Sequence, residues 1–235
     1  MKLFVFILFL SMSKTLALDI HLAVEDSWPP FADNSGQGIS TEIVKAAFLD
    51  QGIKPKFKVV PYARALALTK DGGVDGCYNV TKQASTLKEY IFGEEVLLKA
   101  KASFFYRKGE TFNYSKIEDL PAGSEIAIIR GYEYGEKFEK LKNRFRLIEV
   151  NSQKQIINML ITRRAESAIM FDEVAKYYTS RMNVSDLVIK SFVNHESDIY
   201  VAFSKKNKNS DLFAKKLDMG LRKLKKDGTY ETFFK

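Results

Sequence analysis

Ala63-Arg64-Ala65-Leu66-Ala67-Leu68-Thr69-Lys70, closed by Asp71-Gly72-Gly73-Val74-Asp75-Gly76 and followed by Cys77-Tyr78-Asn79-Val80-Thr81, reads as a helix, a polar turn and a short buried strand. Ala63, Leu66 and Ala67 recur at helical spacing, the glycines suit a tight reversal, and the strand ends in polar Asn79 and Thr81. The arrangement returns in Lys154–Ile161, Thr162-Arg163-Arg164-Ala165-Glu166 and Ser167–Asp172, again with a polar residue at the strand's far end. Two αβ lobes whose strand ends each display polar groups can enclose a small solute between them. Binding, rather than chemistry, is the leading expectation.

Upstream, Met1-Lys2, the apolar run Leu3–Leu10 and the small residues before Leu18 have the three-part form of a secretory leader. A membrane helix needs about 20 apolar residues, and this core is far shorter. A leader over residues 1–17 is expected, with a retained anchor or a buried first helix as the alternative; the exact cut is open. Cys77 is the sole cysteine, so no intrachain disulfide is possible and the fold must rest on its core. The implied location is the periplasm, with the protein soluble after cleavage.

Loss of Lys2 and Lys14 with the leader takes the formal charge from +8 to +6. Basic residues crowd in Lys137–Arg146, Lys205–Lys208 and Lys215–Lys226, within helical or turn patterns that direct them to water. Neither basic residues interleaved with exposed aromatics nor a docking element for nucleic acid is present. No nucleic-acid partner is expected, nor any cofactor or metal. The chain has two separated histidines, His21 and His195, no HExxH and no local Cys/His cluster.

Candidate ligand contacts lie where predicted strands give way to loops. After strand Ile20–Glu25, the prolines of Trp28-Pro29-Pro30-Phe31 stiffen the chain and offer Trp28 and Phe31 either as a pocket wall or as caps on the core. Tyr62 and Arg64 lie in the first turn of the next helix, where a guanidinium beside free N–H groups suits an anion; a surface role is the competing reading. Asn79 and Thr81 can bond a polar solute or cap the Lys82–Ser85 turn. In the second lobe, Arg130, Tyr132 and Tyr134 around Gly131 suit anion pairing and stacking, with Gly131 letting backbone approach an anion. Asp172 is either a helix cap or the partner of a ligand ammonium.

Taken in order, Trp28-Pro29-Pro30-Phe31, Gly36-Gln37-Gly38, Gly73-Val74-Asp75-Gly76, Thr81, Tyr90-Ile91-Phe92-Gly93, Glu118-Asp119-Leu120, Gly131-Tyr132-Glu133-Tyr134-Gly135, Ala168–Asp172, Tyr200–Ser204 and Leu221–Gly228 resemble the periplasmic solute-binding proteins of polar amino acid ABC importers, extracellular solute-binding protein family 3. The resemblance spans essentially all of the mature chain. It implies an aromatic wall over the solute, Thr81 on a carboxylate and Asp172 on an α-ammonium. The family's arginine shortly after the threonine is missing, since Leu87 stands near its place; Lys82, Lys88, Arg64 or Arg130 are the available substitutes for its charge, and a lysine does not reproduce its bidentate fork.

The expected architecture is therefore α/β, a two-lobed periplasmic-binding-protein fold with each lobe a sheet flanked by helices and two crossing segments as a hinge. Residues 18–104 and 199–235 form the first lobe and 105–198 the second. The expected function is binding of a small polar solute, an amino acid or related carboxylate, by a monomer that delivers it to the membrane permease of an ABC importer. Two alternatives stay open: a soluble ligand-sensing partner of a membrane receptor, and a periplasmic lyase or dehydratase using carboxylates among Glu25, Asp26, Glu133, Asp172 and Glu173.

Overall fold

The computed structural model describes residues 18–234, so the leader expected over residues 1–17 lies outside the described residues. The chain begins with strand β1 (Leu18–Glu25), helix α1 (Ile39–Asp50), strand β2 (Ile53–Val60), helix α2 (Tyr62–Asp71) and strand β3 (Gly76–Thr81). A short helix α3 (Ala84–Glu89) and strand β4 (Tyr90–Phe92) lead to the long strand β5 (Leu98–Arg107). The middle repeats the alternation: β6 (Glu125–Ile129), α4 (Gly135–Leu141), β7 (Arg146–Val150), α5 (Gln153–Ile161), β8 (Ser167–Phe171) and α6 (Asp172–Arg181). Strand β9 (Val188–Ser204), helix α7 (Ser210–Lys226) and the short α8 (Thr229–Thr232) complete it.

Hydrogen bonding links eight strands in the order β2-β1-β3-β9-β5-β8-β6-β7, with β4 added on β9. The order has internal symmetry. β1 pairs in parallel with β2 and β3, and β3 pairs antiparallel with the C-terminal part of β9, Gly76 opposite Phe203 and Thr81 opposite Ile199. In the same way β6 pairs in parallel with β7 and β8, and β8 pairs antiparallel with β5. The two helix–turn–strand units of the sequence, α2–β3 and α5–β8, thus occupy corresponding places in two half-sheets. This is a two-lobed α/β fold with each half-sheet flanked by helices.

Strands β5 and β9 join the halves and run antiparallel from Leu98–Ile199 to Arg107–Val188. Their register slips on either side of Ser103, opposite Lys190–His195. An irregularity of this kind bends a strand pair and strengthens its twist, which lets two continuous strands pass from one lobe to the other.

Alternation along β1 explains why both of its faces are covered. Ile20, Leu22 and Val24 meet Ile43, Ala47 and Phe48 of α1 and Phe213, Leu217 and Leu221 of α7. Ala23 faces the other way, with Ala65 of α2. The α1–α7 contact is close because of Gly220, where an added Cβ would stand 2.2 Å from the Ala47 carbonyl oxygen. In the second lobe Ile126, Ile128 and Ile169 pack with Phe104, Phe138 and Val174, while Ala127, Ala168 and Met170 face Ile156, Ile157 and Leu160 of α5. In each lobe the apolar strands end at the same side of the sheet, and there the two lobes meet.

Candidate functional site

At that meeting the C-terminal ends of parallel strands face one another across a cleft with a residual cavity of about 10 Å³, close to the space one water needs. Its first-lobe wall is Glu25 at the end of β1, Trp28 in the following loop, Tyr62 at the start of α2, and Asn79 and Thr81 on β3. The second-lobe wall is Tyr132 and Glu133, in the loop between β6 and α4, and Phe171 at the end of β8.

Two hydrogen bonds cross the cleft reciprocally. Tyr132 Oη donates to Glu25 Oε2 at 2.5 Å, and Tyr62 Oη donates to Glu133 Oε2 at 2.6 Å. Adjacent loop residues therefore offer one donor and one acceptor to the opposite lobe. The Tyr62 and Tyr132 rings meet edge to face at 4.9 Å, and Trp28 meets Phe171 edge to face at 5.1 Å. A third contact, Ser27 Oγ with Tyr178 Oη at 3.3 Å, closes the rim. Behind Gly131, with φ of 82°, an added Cβ would lie 3.1 Å from Ala63 Cβ, so the close approach expected there is made to α2 of the first lobe.

Glu25 is 2 % exposed. Burial pushes its carboxyl up to about 8, against the lowering effects of the Tyr132 hydroxyl and the Asn79 amide. Burial likewise raises Glu133 to about 7, with the Tyr62 hydroxyl acting in the opposite direction. Asn79 is 5 % exposed and adopts a left-handed backbone, φ 68°, which asparagine tolerates better than most residues. Its amide lies beside Glu25, whose carboxylate form it favours, while its oxygen has no hydrogen-bond partner among the described residues. Buried polar atoms are nearly always paired, so this oxygen is an acceptor available at the cleft.

Five of the residues singled out from the sequence line the cavity: Trp28, Tyr62, Asn79, Thr81 and Tyr132. Phe31 lies one layer back, its ring 4.5 Å from that of Trp28, and Tyr134 is buried, its hydroxyl accepting the Ile129 N–H at 2.8 Å. The cationic and acidic candidates stand elsewhere. Arg64 is exposed on α2, Arg130 is exposed and pairs with Glu149 at 3.3 Å, and Asp172 pairs with Lys190 of β9 at 2.5 Å. Lys190 takes one carboxylate oxygen of Asp172, while Asp172 Oδ1 is buried with no partner among the described residues. Glu25, Glu133 and Phe171 were not among the expected contacts. Their signal was positional: a charged residue ending an apolar strand, a carboxylate between Gly131 and Gly135, and the last apolar residue of the second repeat.

A recess of about 420 Å³ adjoins the cleft, sharing Thr81 and running past Gly135 and Asn194–Asp198. His195 lines it; burial lowers its imidazole to about 4, and its Nε2 has no partner among the described residues.

The model of the bacterial extracellular solute-binding proteins, family 3, matches residues 20–235, and the chain belongs to that family. No curated protein matches it. Among solved structures, an ancestral arginine-binding protein bound to arginine is 21% identical, with 92% of this chain and 96% of that one aligned at a TM-score of 0.78. An amino acid ABC transporter substrate-binding protein from Streptococcus pneumoniae, bound to L-arginine, is 18% identical over 92% of each chain at 0.75. A histidine kinase sensor domain with similarity to periplasmic binding proteins is 17% identical, over 92% of this chain and 93% of that one, at 0.79. At these identities the likeness is one of fold. Among the described residues no helix is long and apolar enough to cross a membrane.

Proposed function

We propose that this protein captures a small polar solute in the cleft between its lobes and, as a monomer in the periplasm after removal of residues 1–17, delivers it to the permease of an ABC importer. The observation that carries the reading is the reciprocal pairing of Tyr132 with Glu25 and of Tyr62 with Glu133 beside a buried Asn79 whose oxygen has no partner among the described residues. Polar groups held at the ends of two half-sheets suit a solute that bonds to both lobes and so favours closure; a partner can then distinguish loaded from unloaded protein. The lobes in this reading are residues 18–104 with 199–235, and 105–198. Family membership joins the fold to solute binding; delivery is the reading proposed, with a soluble sensing partner of a membrane receptor as the alternative that the same cleft serves.

Capture is preferred to catalysis because the family is one of solute-binding proteins, and the single thiol, Cys77, is buried and pushed up to about 12, far from nucleophilic at neutral pH. The chain's only tryptophan, Trp28, stands in the cleft, so its emission is a built-in reporter. Titration with a panel of small polar solutes is expected to give a saturable change with at least one compound in the wild type, lost in Thr81→Phe, which fills the cavity. A panel that leaves the emission unchanged, or a change that survives in Thr81→Phe, refutes the reading.

A further inference from the structure

Among the described residues, cations surround the cleft but none lines it. In the adjoining recess Lys82 donates to the Gly93 carbonyl at 3.1 Å and lies 5.0 Å from the Tyr200 ring, and Lys137 pairs with Glu118 at 3.0 Å. Arg130 and Lys190 are paired with Glu149 and Asp172. The cavity wall itself carries two carboxyls and an amide whose oxygen has no partner among the described residues, set among aromatic rings.

A solute carboxylate placed there would have no positive partner, in a site where water is nearly excluded; burying an unpaired charge is costly. A protonated amine meets the opposite situation. Glu25 and Glu133 become its counter-charges, the faces of Trp28, Tyr62 and Tyr132 attract a cation, and the Asn79 oxygen accepts a further N–H. Its N–H groups take over from the phenol hydroxyls that now occupy the carboxyls, so entry requires both cross-cleft bonds to open. Burial of Glu25 beside no cation is also what pushes its carboxyl up to about 8.

We propose that the cleft selects a small organic amine in its protonated form, one that carries no carboxylate, with the ammonium held by Glu25 and Glu133. This rests on the reading of the cleft as the binding site and narrows its ligand class.

Matched pairs separate the two ideas: lysine and cadaverine, ornithine and putrescine, arginine and agmatine, phenylalanine and phenethylamine, each titrated against Trp28 emission and thermal stability. In every pair that binds, the amine is expected to bind at least tenfold more tightly than its amino acid, and Glu25→Gln or the more peripheral Glu133→Gln to weaken the amine at least tenfold. A smaller preference in any binding pair, or unchanged amine affinity in both folded variants, overturns the amine proposal while leaving capture in the cleft intact. Absence of binding by all eight compounds overturns the amine proposal; if the wider solute panel is also silent, the capture reading falls with it.

Discussion

Glu25 ends a strand whose preceding residues, Ala23 and Val24, are fully buried, and it follows them out of water. Its carboxyl and that of Glu133 are raised from 4.5 to about 8 and about 7. A carboxyl raised on folding holds its proton longer in the native state, so its stabilising effect is complete below about pH 4.5 and disappears as pH rises through the folded values. His195 works the other way: held down at about 4 from 6.5, it costs stability as pH falls below 6.5. Between pH 6.5 and 8 the glutamates act without it. Unfolding free energy of the unliganded protein is expected to fall by about 2 kcal/mol across that interval, and Glu25→Gln to flatten the slope; denaturant melts at successive pH values measure both.

At this scale the sequence told where polar and aromatic groups end strands, and it placed Trp28, Tyr62, Asn79, Thr81 and Tyr132 on the wall. It did not tell which way the first turn of α2 presents its side chains: Tyr62 faces in and Arg64 out. Nor did spacing along the chain reveal that Lys190, on β9, reaches Asp172, because that pairing exists only once β5, β8 and β9 are in register.

Among the elements, the repeated helix–turn–strand was legible because its apolar periodicity changes from helical to continuous at a glycine-rich or polar turn. The two crossing segments expected as a hinge, Leu98–Arg107 and Val188–Ser204 in the structure, were harder to bound. Long strands that pass between two environments have mixed burial, and β9 shows no clean alternation. The tail helix α7 is tied to the segment before β5 by Asp218, whose carboxylate accepts the N–H groups of Glu94 and Glu95, both at 2.9 Å. Asp218 is 5 % exposed. Its replacement by alanine strands two partly buried donors and is expected to cost about 2–3 kcal/mol, read as a lower denaturation midpoint with the denaturant slope unchanged. Gly220→Ala forces α7 away from Ala47 and should cost about 1–3 kcal/mol by the same measurement.

For the whole molecule, the cross-cleft bonds of Tyr62 and Tyr132 hold the two lobes together around very little space. The double variant Tyr62→Phe/Tyr132→Phe keeps both rings and removes both donors. It is expected to enlarge the radius of gyration in small-angle X-ray scattering, with helical content preserved; an unchanged radius would mean that other contacts hold the lobes.

The central claim is that the cleft is where a solute is held. Native mass spectrometry of wild type and Thr81→Phe, each incubated with a bacterial small-molecule extract, tests it most directly. The account predicts one small molecule per wild-type chain and none on the folded variant. An adduct retained equally by both would contradict it.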